Sequence, residues 1–490
     1  MSDVVPPPVH LDAVLDGLAE NPALPSALVR RLLGRRTGLG RVAGRPDLSD
    51  DLIAEILATD DHWLTHSLAL NRGLPHAFRM VLAGHPDPAI RKAVAVAADG
   101  APRELFARLL DDADPAVRAQ VAESEDVPAD LRARSATDPD PTVRATLAQW
   151  WTTAPEAVRR LLLTDPDDSV RAAACAIYFR RMPHPVPPAD LVPELLADPV
   201  TRAGAVRHCA LDASTARRLA DDPDDDVRGE LAQHPGLPPA LREELAQDAD
   251  LRVALRVFAR QDTPEPTRAA IHARILSDVP PPDLFADDED MDDATLEREL
   301  MGEVARAELR TLRLPWVTAD PLPYVDSPYV CFRASAAMSD ALPPPLVARL
   351  LDDEESGVRT AMALHARDGI DPDTAERIDR TYRPAKRVRW RPADDLPLPA
   401  EVLRRLATDP DPRMRQLAPR DPGLPVPSAH LLAADPDQRV RRAVAAHPRL
   451  PAEELRRLLA DPSESVAATA AAHPGLPLAD MHRLLTLAGL

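Results

Sequence analysis

From residue 377 to residue 391 the chain gathers Arg377, Arg380, Tyr382, Arg383, Lys386, Arg387, Arg389, Trp390 and Arg391 around a single acid, Asp379. Guanidinium groups interleaved with aromatic rings can grip a phosphate backbone and stack on bases. Arg383, Arg387 and Trp390 are therefore candidate partner-binding residues, with nucleic acid or another polyanion as one class of partner. The alternative is internal, with this segment docking on the acidic run Asp283, Asp287, Asp288, Glu289, Asp290, Asp292 and Asp293. A second candidate is Trp150-Trp151, two large rings in a chain only 3% aromatic. Buried aromatic anchors dominate interface energetics. A Trp pair can equally fill an irregular joint, since each ring buries a large area, and that reading has the greater weight.

Other chemistry-bearing residues lead less far. His62 and His66 stand at i, i+4, a spacing that can hold a metal on a helix, but no third ligand is evident and no Glu follows His62. Gly38-Leu39-Gly40-Arg41-Val42-Ala43-Gly44 has glycines, yet lacks the preceding strand and the spacing of a dinucleotide loop. Arg30, Arg31, Arg35, Arg36, Arg41 and Arg45 make this region locally basic, which is the composition of a solvated face. The acidic run 283–293 lacks the Gly and terminal Glu of a calcium loop and reads as a solvated loop. No nucleophile elbow, Walker loop or zinc-protease motif occurs. No catalytic residue, cofactor or metal is assigned.

The elements that must position these residues are repeats. A unit reads Leu-x-x-Leu-Leu-x-Asp-Pro-Asp-x-x-Val-Arg-x-Ala-Val-Ala-x-His-Pro-x-Leu-Pro, clearest at 435–451. The marker Arg falls at Arg91, Arg118, Arg144 and Arg171, in steps of 27, 26 and 27 residues, and again at Arg228, Arg252, Arg359, Arg415 and Arg441. Such a period signals stacked supersecondary units. Apolar residues at i, i+3 and i+4 (Phe106, Leu109, Leu110; Leu455, Leu458, Leu459) predict a first helix, and pairs such as Val117/Val121, Val143/Leu147 and Val440/Val444 a second. Asp-Pro stops the first helix, because Pro lacks an amide donor, and the next Asp suits the N-cap of the second. Four residues before each marker Arg stands an acid: Asp87, Asp114, Asp140, Asp167, Asp224, Asp248, Glu355, Asp411 and Asp437. The expected arrangement is an i, i+4 capping pair within each repeat. In the last full unit both positions change, to Ser463 and Ala467, as a terminal capping unit without a further neighbour would allow.

This pattern resembles the leucine-rich repeat variant family, relatives of HEAT-like repeats known from bacteria. The resemblance covers roughly residues 10–264 and 341–488, with gaps. It implies an all-α, right-handed solenoid of short two-helix repeats. Some members carry an iron–sulfur cysteine cluster, of which nothing stands here: Cys175, Cys209 and Cys331 are far apart. The organisation expected is an N-terminal array at 1–264, an insertion with acidic loop and longer helix (about 294–313) at 265–322, repeats at 323–372, a basic insertion at 373–399, and C-terminal repeats with the capping unit at 400–490. Residues 176–190 lengthen one connection, with prolines at 183, 185, 187 and 188.

Composition bounds the function. The 490 residues are 45% hydrophobic with 55 prolines at fixed offsets, so the prolines punctuate helices rather than mark disorder. A net charge of −20 argues against a general nucleic-acid or anionic-membrane binder. The odd cysteine count, an N-terminus without a basic start or apolar run, and no segment long enough to span a bilayer point to a reducing cytoplasm. The expected function is a non-catalytic protein- or peptide-binding scaffold. The alternative, by fold analogy to HEAT-like DNA glycosylases, is a nucleic-acid-binding or DNA-repair protein, which would need a basic concave face.

Overall fold

The computed structural model describes residues 7–35, 40–179, 182–183, 185–277, 293–383 and 390–490. The fold is an all-α solenoid of short two-helix repeats, with one two-residue hairpin between Tyr178–Phe179 and Met182–Pro183. It divides into two compact units. One comprises Met1–Arg132, Asp371–Arg380 and Pro397–Leu490, the other Ala133–Ile370 and Thr381–Leu396. The first unit thus draws on both ends of the chain, which linear reading of the repeats does not suggest.

The repeat at 425–451 shows how the sequence builds one step. Pro425 takes the N-cap of the first helix, Val426–Ala433, in extended conformation. Asp435 closes the turn, its Oδ1 accepting from the amide of Asp437 at 2.9 Å. The Asp437 carboxylate caps the second helix, Gln438–Ala445, by accepting from the amide of Arg439 at 2.7 Å. Val440 and Val444 are buried, as are Leu455, Leu458 and Leu459 of the next first helix. The Leu of each Leu-Pro step is buried too, at positions 24, 74, 237, 450 and 476.

The marker arginines do something other than pair with the acid four residues earlier. That acid caps its helix: Asp87, Asp114, Asp140, Asp167, Asp224, Asp411 and Asp437 each accept from an amide two residues on. The guanidinium turns away from it. Arg441 Nη1 donates to the carbonyls of Asp435 and Pro436, at 2.9 and 3.1 Å. Its Nε and Nη2 reach the carboxylate of Asp461, at 2.7 and 2.9 Å. Asp461 is the first Asp of the next repeat, so the Arg is an inter-repeat staple. The same bidentate pair recurs as Arg91–Asp112, Arg144–Asp165, Arg228–Asp248 and Arg415–Asp435.

Two register corrections follow. Asp248 is the staple partner of Arg228, and Asp250 caps Leu251–Phe258, so the marker position there is Ala254. Arg252 instead pairs with Asp225 and Asp250. Conversely, Arg333 is a staple absent from the sequence reading. It donates to the Ser327 carbonyl at 2.8 Å and to Asp353 at 2.7 and 3.1 Å.

A second ladder runs the other way, from the His or Asn that ends several of the second helices. His473 Nε2 lies 2.8 Å from the His447 carbonyl, and His447 Nε2 3.0 Å from the Asp421 carbonyl. Asn71 Nδ2 donates to the carbonyls of Ala43 and Arg45 at 2.9 and 2.8 Å. Asn21 makes the same pair of bonds, at 2.9 and 2.7 Å, but to Ala471 and His473. Helix Leu11–Glu20 packs along helix Glu464–Ala471 as successive second helices do elsewhere. The unit at 452–472 is therefore not a cap without a neighbour. Its Ala467 is fully buried, and a Cβ on Gly17 would lie 2.0 Å from the Ala468 carbonyl oxygen. Small residues replace the acid–Arg pattern there because the first and last repeats close on one another.

Helix Asp293–Thr311 occupies the expected place of the longer helix, with Ala305 and Leu309 buried. Asp283 to Asp292 of the acidic run lie outside the described residues. Among the described residues no helix is long and apolar enough to cross a membrane.

Burial alone would raise the carboxyls of Asp112, Asp165 and Asp435, yet the paired guanidinium and the capping amide hold them below the usual range. A group depressed on folding stabilises fully above its unfolded pKa, about 3.9 for Asp, and loses that contribution as pH falls through the folded value. Thermal unfolding measured from pH 7 to pH 2 should therefore show an acid limb below about pH 4 that D435N makes shallower. D435A, which strands the Arg415 guanidinium, should cost about 3 kcal/mol in urea denaturation. At the seam, G17V should raise hydrogen exchange in both 11–20 and 464–471 while leaving 88–96 unchanged; equal protection in all three would contradict the closure.

Candidate functional site

In the unit containing residues 133–370, the second helices Asp168–Ala174, Arg202–Val206, Asp225–Gln233 and Leu251–Phe258 follow one another in a layer. Gly204 sets the closest approach, since a Cβ there would fall 1.7 Å from the Cys175 carbonyl oxygen. After Cys175 the chain leaves the array. Within the long connection at 176–190 two short strands pair antiparallel, Tyr178 with Pro183 and Phe179 with Met182. The returning strand is tied down by Arg159 Nη1, which donates to the Val186 carbonyl at 3.0 Å, and by the bidentate Arg160–Asp190 pair.

A cleft of about 220 Å³ lies between hairpin and layer, lined by Leu163, Ala174, Cys175, Ile177, Pro185, Val186, Pro187, Gly204, Arg207, His208 and Glu230. An adjoining recess of about 80 Å³ shares Ile177 and Glu230 and adds Asp225, Asp226, Gly229, Arg252, Val253, Arg256 and Glu308. Glu308 comes from the helix Asp293–Thr311. The hairpin and the inserted helix thus border one surface.

Its polar floor is the Arg207–Glu230 pair. Glu230 is only 3% exposed. Its two oxygens face Arg207 Nε and Nη2, and Nη2 also donates to Gln233 Oε1 at 3.1 Å. Burial lifts the Glu230 carboxyl above the usual range in spite of Arg207. Asp226, one turn earlier on the same face, is also raised, by the surrounding protein first and then by Asp225 and Asp224, against Arg252 and Arg256. Burial, with Arg207 and His234, lowers His208 and so favours a neutral imidazole. The Cys175 thiol is pushed up to about 12 by burial, then by Asp198. The cleft therefore offers apolar walls and carboxyl groups but no thiolate.

The residues singled out from sequence fall in three places. Trp151 is half-buried and lines a small recess with Leu163, Ala174 and Pro185, which also line the cleft; Trp150 is half-buried beside it. Arg383 is exposed, and its Nη1 donates to the Tyr382 carbonyl at 3.0 Å. Trp390 stands edge-on to Tyr382 at 5.4 Å and donates from Nε1 to Asp395 at 2.8 Å. Neither Arg383 nor Trp390 lines the cleft. Arg387, with Lys386 and Arg389, lies outside the described residues. Arg380 is neutralised by Asp409 and Glu376. Four of the basic N-terminal arginines are paired with acids, Arg30 with Glu55, Arg35 with Asp12 and Asp16, Arg41 with Glu20 and Arg45 with Asp47, while Arg31 donates to the Leu490 carbonyl and Arg36 lies outside the described residues. Gly40–Ala43 is a short second helix. His62 turns to Asp87 at 3.1 Å and stacks on His66.

Arg207, Asp226, Glu230 and Glu308 were not reached from sequence. Their positions carry no distinct signal: Glu230 stands two residues after the marker Arg228, where other repeats have Ala93, Ala173 and Ala443 but also Gln120, Thr146 and Leu417.

Residues 439–463 match the family model described as leucine rich repeat variant, the repeat that includes the Arg441–Asp461 staple. No curated protein matches the chain. Among solved structures, the chain is similar to Kap121p bound to Ste12p, at 16% identity and TM-score 0.26, over 88% of this chain and 50% of that one. It is likewise similar to Kap121p bound to Nup53p, at 17% identity and TM-score 0.25, over 95% of this chain and 55% of that one. The chain thus spans about half the length of these structures. At this level of likeness nothing about partners follows.

Arg207→Ala would strand a buried carboxylate. It should cost about 3 kcal/mol in chemical denaturation, and E230Q in the same chain should recover much of the loss. Equal stability of R207A and the parent would remove this pair from the floor of the cleft.

Proposed function

We propose that the protein is a non-catalytic scaffold that binds a protein or peptide segment, and that the cleft between the hairpin and the second-helix layer is where the segment anchors. The observation that supports this is the convergence of the hairpin and the inserted helix on one partly apolar surface, since insertions in repeat arrays commonly serve the binding face. Clefts with apolar walls and a few convergent polar groups are the usual form of a binding site. Against chemistry at this place, both Glu230 oxygens are taken by Arg207 and the nearest thiol is held protonated. Against a phosphate backbone here, Asp225, Asp226, Glu230 and Glu308 outnumber Arg207, Arg252 and Arg256.

Panning a displayed random peptide library over the full chain tests the reading, followed by hydrogen exchange with an enriched peptide. Protection is expected at 174–177, 204–208 and 226–230. No enrichment, or protection confined to other segments, overturns it. Salt-steep binding of labelled single-stranded DNA would favour the nucleic-acid alternative instead.

A further inference from the structure

The cleft has two parts of different character, and together they define what fits. The larger part is walled by Leu163, Ala174, Ile177, Pro185, Val186 and Pro187. At about 220 Å³ it exceeds the volume that accepts a benzene-sized group, roughly 150 Å³. Val186 is 64% exposed, so this part opens to solvent and can be entered. The smaller part lies on the far side of Ile177 and Glu230. There Arg252 is committed to Asp225 and Asp250, and Glu230 to Arg207. Arg256 also lines the recess and acts on Asp226 and Glu230, yet Asp225, Asp226, Glu230 and Glu308 outnumber Arg252 and Arg256 there, and the excess falls to Asp226 and Glu308. They come from different helices, line the same recess, and make no ion pair among the described residues.

We propose that the cleft recognises a peptide segment in which an apolar side chain stands beside a lysine or arginine. The apolar group fills the recess under the hairpin, and the cationic head lies between Asp226 and Glu308. This names the partner class of the scaffold reading and rests on it. Charge complementarity selects the occupant: an anionic head would meet a recess in which four carboxylates face two guanidinium groups, whereas an ammonium or guanidinium reduces that excess. The aliphatic stem of Lys or Arg would lie along Ile177, as such stems cover apolar surface.

The pH dependence has a definite sign. Asp226 is raised by burial and by Asp225 and Asp224, and lowered by Arg252 and Arg256 from the neighbouring helix. Across the recess stands Glu308, and on the shared wall Glu230 with Arg207 behind it. A cation favours the ionised form of each carboxyl, so a proton and the cationic head compete. Binding should tighten as pH rises through the raised carboxyl range.

The test uses the full chain and a displayed random peptide library, panned at pH 5 and pH 8 on the parent and on a D226N/E308Q variant. Neither side chain caps a helix or forms a staple, and circular dichroism and thermal unfolding confirm that the variant folds. On the parent at pH 8, an apolar residue adjacent to Lys or Arg should be enriched about tenfold, the effect of about 1.4 kcal/mol. The enrichment should weaken at pH 5. On the variant the basic preference should vanish while the apolar preference persists. Peptides that protect the cleft without a basic preference, or a basic preference unchanged in the variant, overturn this inference and leave the scaffold reading standing. Absence of any enriched peptide overturns both.

Discussion

In each stapled repeat a single guanidinium joins three pieces of chain. Arg441 closes the turn of its own repeat through two carbonyls and clamps the first Asp of the following repeat with its remaining donors. That Asp in turn orders the amide that begins the next cap, as Asp461 does for Ser463. Exposed ion pairs add little to stability. These pairs are half-sheltered, bidentate and hydrogen-bonded on every side, and removing one partner leaves the other without water or countercharge. At these joints the contact ties one repeat to the next, and the apolar helix faces are buried alongside it; at Ala254 and Ala467, where no marker Arg stands, the faces are buried by small-residue packing instead. The second helices that floor the cleft include one stapled step, Arg228 to Asp248.

The helix pairs, their caps and their buried leucines were legible because each is a local rule repeated many times. Pro fixes where a first helix starts, Asp where a second one starts, and the Val pairs point inward. The staple itself was misread for a physical reason. Sequence shows Asp437 and Arg441 four residues apart and suggests a pair, but the cap geometry turns that carboxylate to the backbone. The guanidinium partner is about 20 residues away in sequence, one helical layer over. Arg252 shows the same limit: it carries the right residue type two positions out of register, and only the pairing of Arg228 with Asp248 reveals it.

The candidate site was less legible than the fold. Its walls come from a hairpin, four second helices and an inserted helix, and no motif joins residues so far apart in the chain. Trp151 was reached because Trp is rare here, and it does stand beside the cleft. Trp390 was reached from the interleaved basic and aromatic residues around it, and it is tied to Tyr382 and Asp395. Rarity of a residue type identifies candidates. What sets the cleft residues apart is their convergence in space, which a linear reading of the repeats does not show.

The seam between the first and last repeats carries a consequence for how this chain is assembled. Elsewhere, donors of the second ladder meet carbonyls about 26 residues away, as His473 meets His447. Asn21 meets carbonyls 450 and 452 residues away. For a flexible chain each doubling of a loop costs about 0.6 kcal/mol, and this difference is roughly four doublings, or about 2.5 kcal/mol. The bonds at the seam match those at other joints, but their tether is far longer. Loop entropy alone thus ranks this joint last to form during folding and first to part under load or heat.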